Sequence, residues 1–347
     1  MSEYRSRATI KDVAKFAGVS VATVSNVING TGRVSQDTAE RVQEAVLALN
    51  YTPSAVARSL KDKESQLIAV VVPFMERGRL QDNPFYWQLV SGIEESARNR
   101  SLQVILVGAE QTETFSFVHE RRLDGLIVVG ISDDSPLLPK IVSLRVPCVF
   151  MDSYLSDADA YQITIGDEEA GYVATRHLID LGHRRVALLT GGIKRGGVNH
   201  YRYQGYIRAL TEAGLEPDAS LVIEHPVSPE GGYAASSQLV AIRPKVTAVF
   251  ATSDASAIGL IRGLTEHGCR VPGDLSVVGF DDIQYASYTV PPLTTVRQDI
   301  HAKGQKAVEL LMAQTENVPS RSGNTVVLPV SLIVRGSTAP IRKGGDL

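Results

Sequence analysis

The sequence predicts an α/β protein with a small all-α headpiece at the N-terminus and a larger core of two parallel-sheet subdomains. Residues 8–60 contain short helical patterns separated by turns. From Leu67 onward, apolar runs rich in β-branched residues alternate with helical patterns, which is typical of parallel sheets covered by helices on both faces. A chain of 347 residues is long enough for two or three domains.

The first two helical patterns lie on either side of a tight turn at 17–19. Thr9 and Asp12 have the spacing of a capping box at the start of the first helix. The second pattern, Ser20–Asn29, alternates small apolar with small polar side chains. Two short helices joined by a glycine turn form a helix-turn-helix unit, whose second helix presents side chains to a DNA major groove. Periodicity alone also fits proteins that never contact DNA.

A third helical pattern begins at Ser35 and ends before Pro53, because the residue before a proline is displaced from the α region. Its apolar positions are predicted to close a small three-helix core. The next segment, Ser54–Leu60, has a serine cap but is too short to be stable as an isolated helix in water. It is either a plain linker or a hinge helix that becomes ordered only against DNA and a second copy of the chain.

In the core, the apolar runs predicted as strands are 67–72, 104–107, 126–129, 148–151, 186–189, 248–251 and 276–280. The helical patterns between them are 85–98, 168–181, 203–213, 232–241 and 256–267. These are more units than one sheet needs, so we expect two subdomains. A further helix, 301–312, is predicted to return to the first subdomain, and 325–334 to cross to the second as strands.

Composition indicates a soluble globular protein, with 44% hydrophobic and 21% charged residues. The N-terminus lacks the apolar segment of a secretory signal, so we expect a cytoplasmic protein. Cys148 and Cys269 are predicted to be free thiols, and the sequence has no Cys-x-x-Cys zinc pattern. We therefore expect neither a metal nor a cofactor.

The net charge of −3 argues against nucleic-acid binding by the whole chain, but the charges are unevenly distributed. Residues 1–61 carry eight Lys or Arg against five Asp or Glu, whereas the remainder carries 27 against 33. A mildly basic headpiece on an acidic body fits local contact with phosphates.

Residues 8–61, from ATIKDVAKFAGVSVATVSNVING to NYTPSAVARSLK, resemble the DNA-binding headpiece and hinge of the lactose/galactose repressor (LacI/GalR) family over about fifty consecutive positions. The resemblance implies a headpiece over 1–52, a hinge over 53–65, and a core over 66–340 with the fold of type I periplasmic binding proteins. The N-subdomain is then 66–164 with 298–325, and the C-subdomain is 165–297 with 326–340. Residues 341–347 are a polar tail.

The resemblance also implies a homodimer that binds a pseudo-palindromic double-stranded operator. Val21 and Ala22 are expected to pack on thymine methyls, and Asn26 and Asn29 to make polar contacts. Leu60 is expected to enter the minor groove as a wedge. The full set of predicted DNA-binding residues is Thr9, Ile10, Ser20, Val21, Ala22, Thr23, Ser25, Asn26, Asn29, Arg33, Ser35, Thr38, Ala57, Leu60 and Lys61.

In the core, the resemblance implies a cleft that binds a small-molecule effector, with a sugar favoured. The predicted effector-binding residues are Phe85, Tyr86, Trp87, Asp152, Asn199, Arg202, Asp254 and Asp281. Several have a plain structural alternative: Phe85 as a core aromatic, Arg202 as half of a surface salt bridge, and Asp254 as a helix cap. Asp281 is preferred to Asp152 as a hydrogen-bond acceptor.

The sequence also departs from the family, since the segment between Gly108 and Asp124 is short and position 227 is Val where some relatives have an aromatic residue. These departures leave the identity of the effector open. Two other functions are possible for a core of this kind. A solute-binding receptor would share the core but would not need residues 8–60. An α/β enzyme is disfavoured because the chain has no phosphate-loop, nucleophile-elbow or His-Glu-x-x-His motif.

Overall fold

The computed structural model describes residues 8–28, 30–51, 65–73, 83–110, 112–243, 245–315 and 324–341. The chain divides into two compact units, Met1–Ser65 and Gln66–Leu347. Each unit has its own apolar core, as expected for domains that fold around separate sets of buried side chains.

The described residues of the N-terminal unit form three helices: α1 (Ile10–Ala17), α2 (Val21–Ile28) and α3 (Gln36–Ala48). Val13 of α1, Val24 of α2 and Val42 of α3 are fully buried and form the centre of a small core. The predicted three-helix arrangement is therefore confirmed.

The second unit alternates strands with helices. Its strands are β1 (Leu67–Pro73), β2 (Gln103–Ala109), β3 (Gly125–Val129), β4 (Cys148–Met151), β5 (Tyr161–Thr164), β6 (Val186–Thr190), β7 (Val222–Glu224), β8 (Ala248–Ala251), β9 (Ser276–Asp281), β10 (Thr294–Gln298), β11 (Thr325–Val327) and β12 (Val330–Ile333). Its α-helices are α4 (Pro84–Arg98), α5 (Ser116–Glu120), α6 (Leu138–Ser143), α7 (Asp167–Asp180), α8 (Val198–Glu212), α9 (Pro229–Ala241), α10 (Asp254–Glu266) and α11 (Ile300–Thr315).

The strands form two six-stranded sheets, one in each predicted subdomain. The first sheet has the order β11-β5-β4-β3-β1-β2 and is parallel throughout. The second has the order β12-β10-β9-β8-β6-β7 and is parallel except for the β10–β12 pair. Strands such as β3 and β6 are buried along their whole length because helices cover both faces.

Within the described residues, the chain crosses between the subdomains three times. The first crossing follows β5 and the second follows β10. The third falls at Leu328–Pro329, slightly after the predicted boundary at 325/326, because all of β11 pairs with β5. Gln298 likewise still pairs with Val330 in the second sheet, one position beyond the predicted boundary at 297/298. The crossings lie at strand ends, where polar side chains of the two subdomains can meet.

Helix α11 returns to the N-subdomain and packs closely against α4. Glycines make this approach possible: a Cβ on Gly304 would lie 2.4 Å from the Leu89 carbonyl oxygen. A Cβ on Gly92 would lie 2.1 Å from the His301 carbonyl oxygen. Real Cβ atoms do not tolerate such distances, so this contact fixes the position of α11.

Replacing Gly304 with alanine is expected to force α4 and α11 apart. The clash is with the backbone, which cannot move away as a side chain does, so we expect a loss of about 3 kcal/mol in the free energy of unfolding. Urea denaturation measures this loss. The control is Gly108→Ala in β2, where a Cβ meets no atom within 4 Å. Equal stability of the two variants would contradict the close packing.

Candidate DNA-binding and effector sites

Helix α1 ends in a tight turn that leads directly into α2. Gly18 adopts a left-handed φ of 65°, a conformation that glycine takes without strain. The Ser20 hydroxyl accepts a hydrogen bond from the Thr23 N–H at 3.1 Å and therefore caps α2. Ser20, Val21 and Ala22 are all exposed. The first turn of α2 thus presents small side chains to solvent.

Asn26, near the end of α2, contacts the loop that follows this helix, and Ser35 lies at the end of that loop. The Asn26 carbonyl oxygen accepts from the Thr31 N–H at 2.9 Å, and a Cβ on Gly32 would lie 3.1 Å from the Asn26 amide nitrogen. The Ser35 hydroxyl caps α3 by accepting from the Thr38 N–H at 3.4 Å. Asn26 is therefore half-buried against its own loop.

The remaining predicted DNA-binding residues vary in their surroundings. The Thr9 N–H and hydroxyl both donate to the Asp12 carboxylate, at 2.8 and 2.7 Å. Ile10 and Ser25 are half-buried, whereas Arg33 is exposed. Four predicted residues lie outside the described part of the chain: Asn29, Ala57, Leu60 and Lys61.

In the core, four charged side chains converge near the carboxyl ends of the strands. Asp152 follows β4 with a φ of 50°, and Asp281 ends β9 with a φ of 109°. Arg202 lies on α8 and interacts electrostatically with both carboxylates, and Lys303 on α11 interacts with Asp281. Two of these four residues belong to each subdomain, and both carboxylates have the left-handed backbone conformation often found at functional sites.

Arg202 is buried, with 6% of its surface exposed. Its Nε donates to Asp167 Oδ1 at 2.7 Å, and its Nη1 donates to the Thr252 carbonyl oxygen at 2.7 Å. The guanidinium carbon lies 3.6 Å from the centre of the Phe280 ring. Arg202 is therefore half of a buried ion pair and not of the surface salt bridge considered as an alternative.

Asp167 connects Arg202 to the N-subdomain. Its second carboxylate oxygen accepts a hydrogen bond from the Tyr154 hydroxyl at 2.7 Å. The Tyr154 ring also packs against the Tyr201 ring, with 4.0 Å between the centroids. Burial raises the pKa of Tyr154, and the charge of the Asp167 carboxylate and its hydrogen bond from the phenol raise it further. These contacts join the two subdomains at one end of the cleft.

A second polar chain joins the subdomains at the floor of the cleft. Lys303 Nζ donates to Asp152 Oδ1 at 2.6 Å and also to Gln298 Oε1. The Gln298 amide in turn donates from Nε2 to Asp281 Oδ1 at 2.6 Å. Lys303 and Gln298 were not among the predicted site residues.

Burial shifts the titration of groups at this floor. It raises the pKa of Asp281 to about 7, although Arg202, the Gln298 amide and Lys303 each lower it. Burial and the neighbouring Asp152 and Asp281 carboxylates raise the pKa of Tyr86 to about 12. The carboxyl group of Asp281 is therefore poised to change its charge near neutral pH.

A cavity of about 240 Å³ opens between the subdomains beside these residues. Gly130, Ser132 and Asp152 line it from the N-subdomain, and Gly192 and Asn199 line it from the C-subdomain. The side-chain oxygen of Asn199 accepts a hydrogen bond from the Thr252 hydroxyl at 3.4 Å, and the carbonyl oxygen of Thr252 is the one that Arg202 contacts. Asn199 is therefore linked to Arg202 through Thr252. The cavity wall is polar on both sides.

The three consecutive aromatic residues at the start of α4 point in different directions. Phe85 is 8% exposed and packs in the core, which supports its structural alternative. Tyr86 lies near Asp152 and Asp281. Trp87 is 52% exposed and lines a separate groove with Tyr285. Of the three, Tyr86 is the one that interacts electrostatically with the two carboxylates of the polar floor.

Asp254 is fully buried, and its oxygens are used within the protein. Oδ1 accepts from the Thr295 hydroxyl at 2.6 Å, and Oδ2 accepts from the Ile283 N–H at 2.9 Å. The N-cap of α10 is Ser253, so Asp254 is the first residue of the helix rather than its cap. It ties α10 to β10 and to the segment that follows Asp281.

Among the described residues, no helix is long and apolar enough to span a membrane, and no group of three or more His, Cys, Asp or Glu side chains is arranged to hold a metal.

Four residues of the site were not predicted from the sequence: Lys303, Gln298, Asp167 and Tyr154. Gln298 ends a parallel strand, and Lys303 lies on an otherwise apolar helix face; both signals were present in the sequence.

Two family models and several relatives identify the family of this chain. The model of the bacterial regulatory proteins of the lacI family matches residues 9–54, and that of the periplasmic binding protein-like domain matches residues 175–338. A repressor named PurR from Mannheimia succiniciproducens is 36% identical over 96% of this chain and 99% of its own. The chain belongs to the lacI family. It is therefore a DNA-binding transcriptional regulator and not an enzyme.

Other relatives of the regulator agree with this assignment. The ribose operon repressor of Haemophilus influenzae is 35% identical over 95% of this chain and 98% of its own. The lac repressor dimer bound to operator and the anti-inducer ONPF superposes with a TM-score of 0.82, at 31% identity over 96% of this chain and 100% of that one. A complex of the regulator CelR with cellobiose gives 0.70, at 32% identity over 95% and 100%.

Proposed function

We propose that this regulator is a homodimeric, sugar-responsive repressor that acts in the cytoplasm on a pseudo-palindromic operator. The observation that carries the proposal is the cleft floor, where Asp152, Arg202 and Asp281 meet and most charges are already paired inside the protein. Such a floor offers hydrogen bonds without a strong net charge, which suits the hydroxyl groups of a neutral sugar.

In the proposed complex with DNA, α2 of each subunit enters a major groove. Val21 and Ala22 are exposed in the first turn and pack on thymine methyls. Ser20 and Thr23 hold the helix start, since their hydroxyls lie 2.9 Å apart. Arg33 contacts phosphate. Base readout by hydrogen bonds is therefore limited, and much of the specificity falls to DNA shape.

The hinge, 53–65, supplies that shape readout in the proposal. Leu60 from each subunit inserts into the minor groove at a central base step and bends the duplex. Ala57 and Lys61 contact the same groove and its phosphates, and Asn29 adds a contact beside α2. Two hinges that must meet on DNA make binding sensitive to any movement of the cores.

The effector binds between the subdomains, against Tyr86, Asp152, Asn199, Arg202 and Asp281. Phe85 and Asp254 support the site from within the core, and Trp87 lies at the neighbouring groove. The ribose operon repressor and the regulator CelR in its complex with cellobiose are relatives whose descriptions refer to sugars. Sugar binding is proposed to weaken operator affinity by about 5–150-fold, the usual range of allosteric coupling.

A thermal-shift screen of the full chain tests the sugar. We expect stabilisation by neutral sugars, with ribose and cellobiose as the first probes, and none by nucleobases or sugar phosphates. A ligand at 100 times its Kd adds about 2.7 kcal/mol to the free energy of unfolding. The same sugar should then lower the affinity for an operator selected from random DNA, measured by fluorescence anisotropy. Stabilisation by anionic ligands alone would contradict the proposal.

A further inference from the structure

Lys303 is an unusual residue because its side chain is completely buried on an otherwise apolar helix face. It is 0% exposed on α11, whose inward face also carries Ile300, Ala307 and Leu311. A buried ammonium group is costly unless it is paired and hydrogen-bonded. Here it is paired with Asp152 at 2.6 Å and hydrogen-bonded to Gln298. Its place on this face therefore depends on its two partners.

The chemistry of these partners fixes the direction of the whole hydrogen-bonded chain. An ammonium group is a donor only, so Gln298 must turn its carbonyl oxygen towards Lys303. The amide NH₂ of Gln298 is then directed towards Asp281, to which it donates at 2.6 Å. Asp152 and Lys303 belong to the N-subdomain, whereas Asp281 belongs to the C-subdomain. One lysine therefore orients acceptors on both sides of the cleft.

We propose that Lys303 is a positioning residue for the effector cleft, which holds Asp152 directly and presents Asp281, through Gln298, as a hydrogen-bond acceptor for a neutral hydroxyl group. This inference rests on the proposed effector site. The ammonium has no exposed surface, so it acts through Asp152 and Gln298 rather than on the ligand. It also balances the charge of Asp152, just as Arg202 balances Asp167.

Several charged and titratable groups face Asp281, and their balance decides what happens when Lys303 is replaced. Burial is the strongest influence on the pKa of Asp281 and raises it, whereas Lys303 lowers it more than Asp152 raises it. Loss of Lys303 therefore raises the pKa of Asp281 even if Asp152 is replaced as well. The groups that face Asp281 are Arg202, Lys303, Asp152, Asp254 and Tyr86.

The test compares Lys303→Met with Lys306→Met in the full-length, ligand-free chain. Lys306 lies on the same helix but is exposed and pairs with Glu309 at 2.9 Å. Lys303→Met leaves the Asp152 carboxylate without its cation, so we expect its Tm to fall by about 5–10 °C. The control should stay within about 1–2 °C of the parent, because exposed ion pairs contribute little.

A second readout separates positioning from simple stabilisation. The pH dependence of unfolding, taken as the difference between each chain and its Asp281→Asn version, reports the titration of Asp281. We expect its midpoint to rise in Lys303→Met, because a cation that favours the carboxylate is lost, and to stay unchanged in Lys306→Met. The double variant Lys303→Met/Asp152→Asn removes both charges, so it should regain most of the Tm while its pH midpoint stays raised.

Titration with ribose and cellobiose completes the experiment. A sugar that binds the parent should bind Lys303→Met at least tenfold more weakly, with the affinity loss largest between the parental and the raised midpoints, where Asp281 is ionised only in the parent. A double variant with both Tm and pH midpoint back at parental values would overturn the proposal, because Lys303 would then only balance Asp152. If neither sugar binds the parent, the proposed function fails, whereas the ligand-free pH readout still decides the role of Lys303.

Discussion

Arg202→Ala is expected to lower the free energy of unfolding by about 3–5 kcal/mol and to abolish the response to effector. The variant removes the guanidinium that pairs with Asp167 at 2.7 Å and leaves that carboxylate fully buried. It also removes the donor to the Thr252 carbonyl and the contact with the Phe280 ring. Urea denaturation measures the loss of stability, and sugar titration measures the loss of binding.

The loss of sugar affinity in Arg202→Ala should be larger than the lower fraction of folded protein can explain. Truncation of a buried, hydrogen-bonded charge at a binding site costs about 2–5 kcal/mol, which corresponds to at least about 30-fold in affinity. Operator affinity without effector should remain near the parental value, because the headpiece is a separate unit. Fluorescence anisotropy with operator DNA, with and without sugar, measures both quantities.

Two further variants sharpen this prediction. Arg185→Ala removes an exposed pair with Asp218 at 3.0 Å and should change stability by less than about 1 kcal/mol. Arg202→Met/Asp167→Asn removes both buried charges and should recover much of the stability without the effector response. An Arg202→Ala protein that keeps its full response to sugar would exclude Arg202 from the site.

The fold was largely predictable because the buried strands are continuous apolar runs. Each of the seven predicted strands is present, whereas β5, β7 and β10 were not predicted. β5 and β7 are short and contain Gln162 and Glu224, and β10, Thr-Thr-Val-Arg-Gln, has no continuous apolar run. Helix α8 begins at Val198 rather than 203, since its first turn, Val-Asn-His-Tyr, has no apolar periodicity. Local pattern therefore located the sheets better than the helix starts.

Only those site residues whose positions match the family resemblance could be predicted from the sequence. Asp152, Arg202 and Asp281 were expected and do lie together, but their partners were not found. Lys303 lies 151 positions from Asp152 in the sequence, and only the fold brings them into contact. The sequence shows that Lys303 interrupts an apolar helix face, but it does not show which distant residue neutralises the charge, so the electrostatic balance of the cleft required the structure.

Asp281→Asn is expected to remove a large pH dependence from the stability of the ligand-free chain. The pKa of Asp281 is raised by burial to about 7 in the folded chain, against about 4 when unfolded. Below pH 4 the group is protonated in both states and the folded state bears no penalty. Between pH 4 and pH 7 the unfolded chain loses this proton while the folded chain keeps it, so stability falls across this range and levels off above pH 7. A shift of this size corresponds to about 4 kcal/mol above pH 8.

Asparagine has no proton to lose, so the variant should match the parent near pH 4 and be more stable than it at pH 8. Urea denaturation at a series of pH values gives the difference between the two chains. Asp180→Asn, which removes an exposed carboxylate beside Arg176, serves as the control and should follow the parental curve. A sugar hydroxyl that donates to Asp281 favours its ionised form, so sugar binding near pH 7 should release protons in the parent but not in the variant. Calorimetry in buffers of different ionisation enthalpy measures this release, and equal proton release by both proteins would show that Asp281 does not receive the hydroxyl.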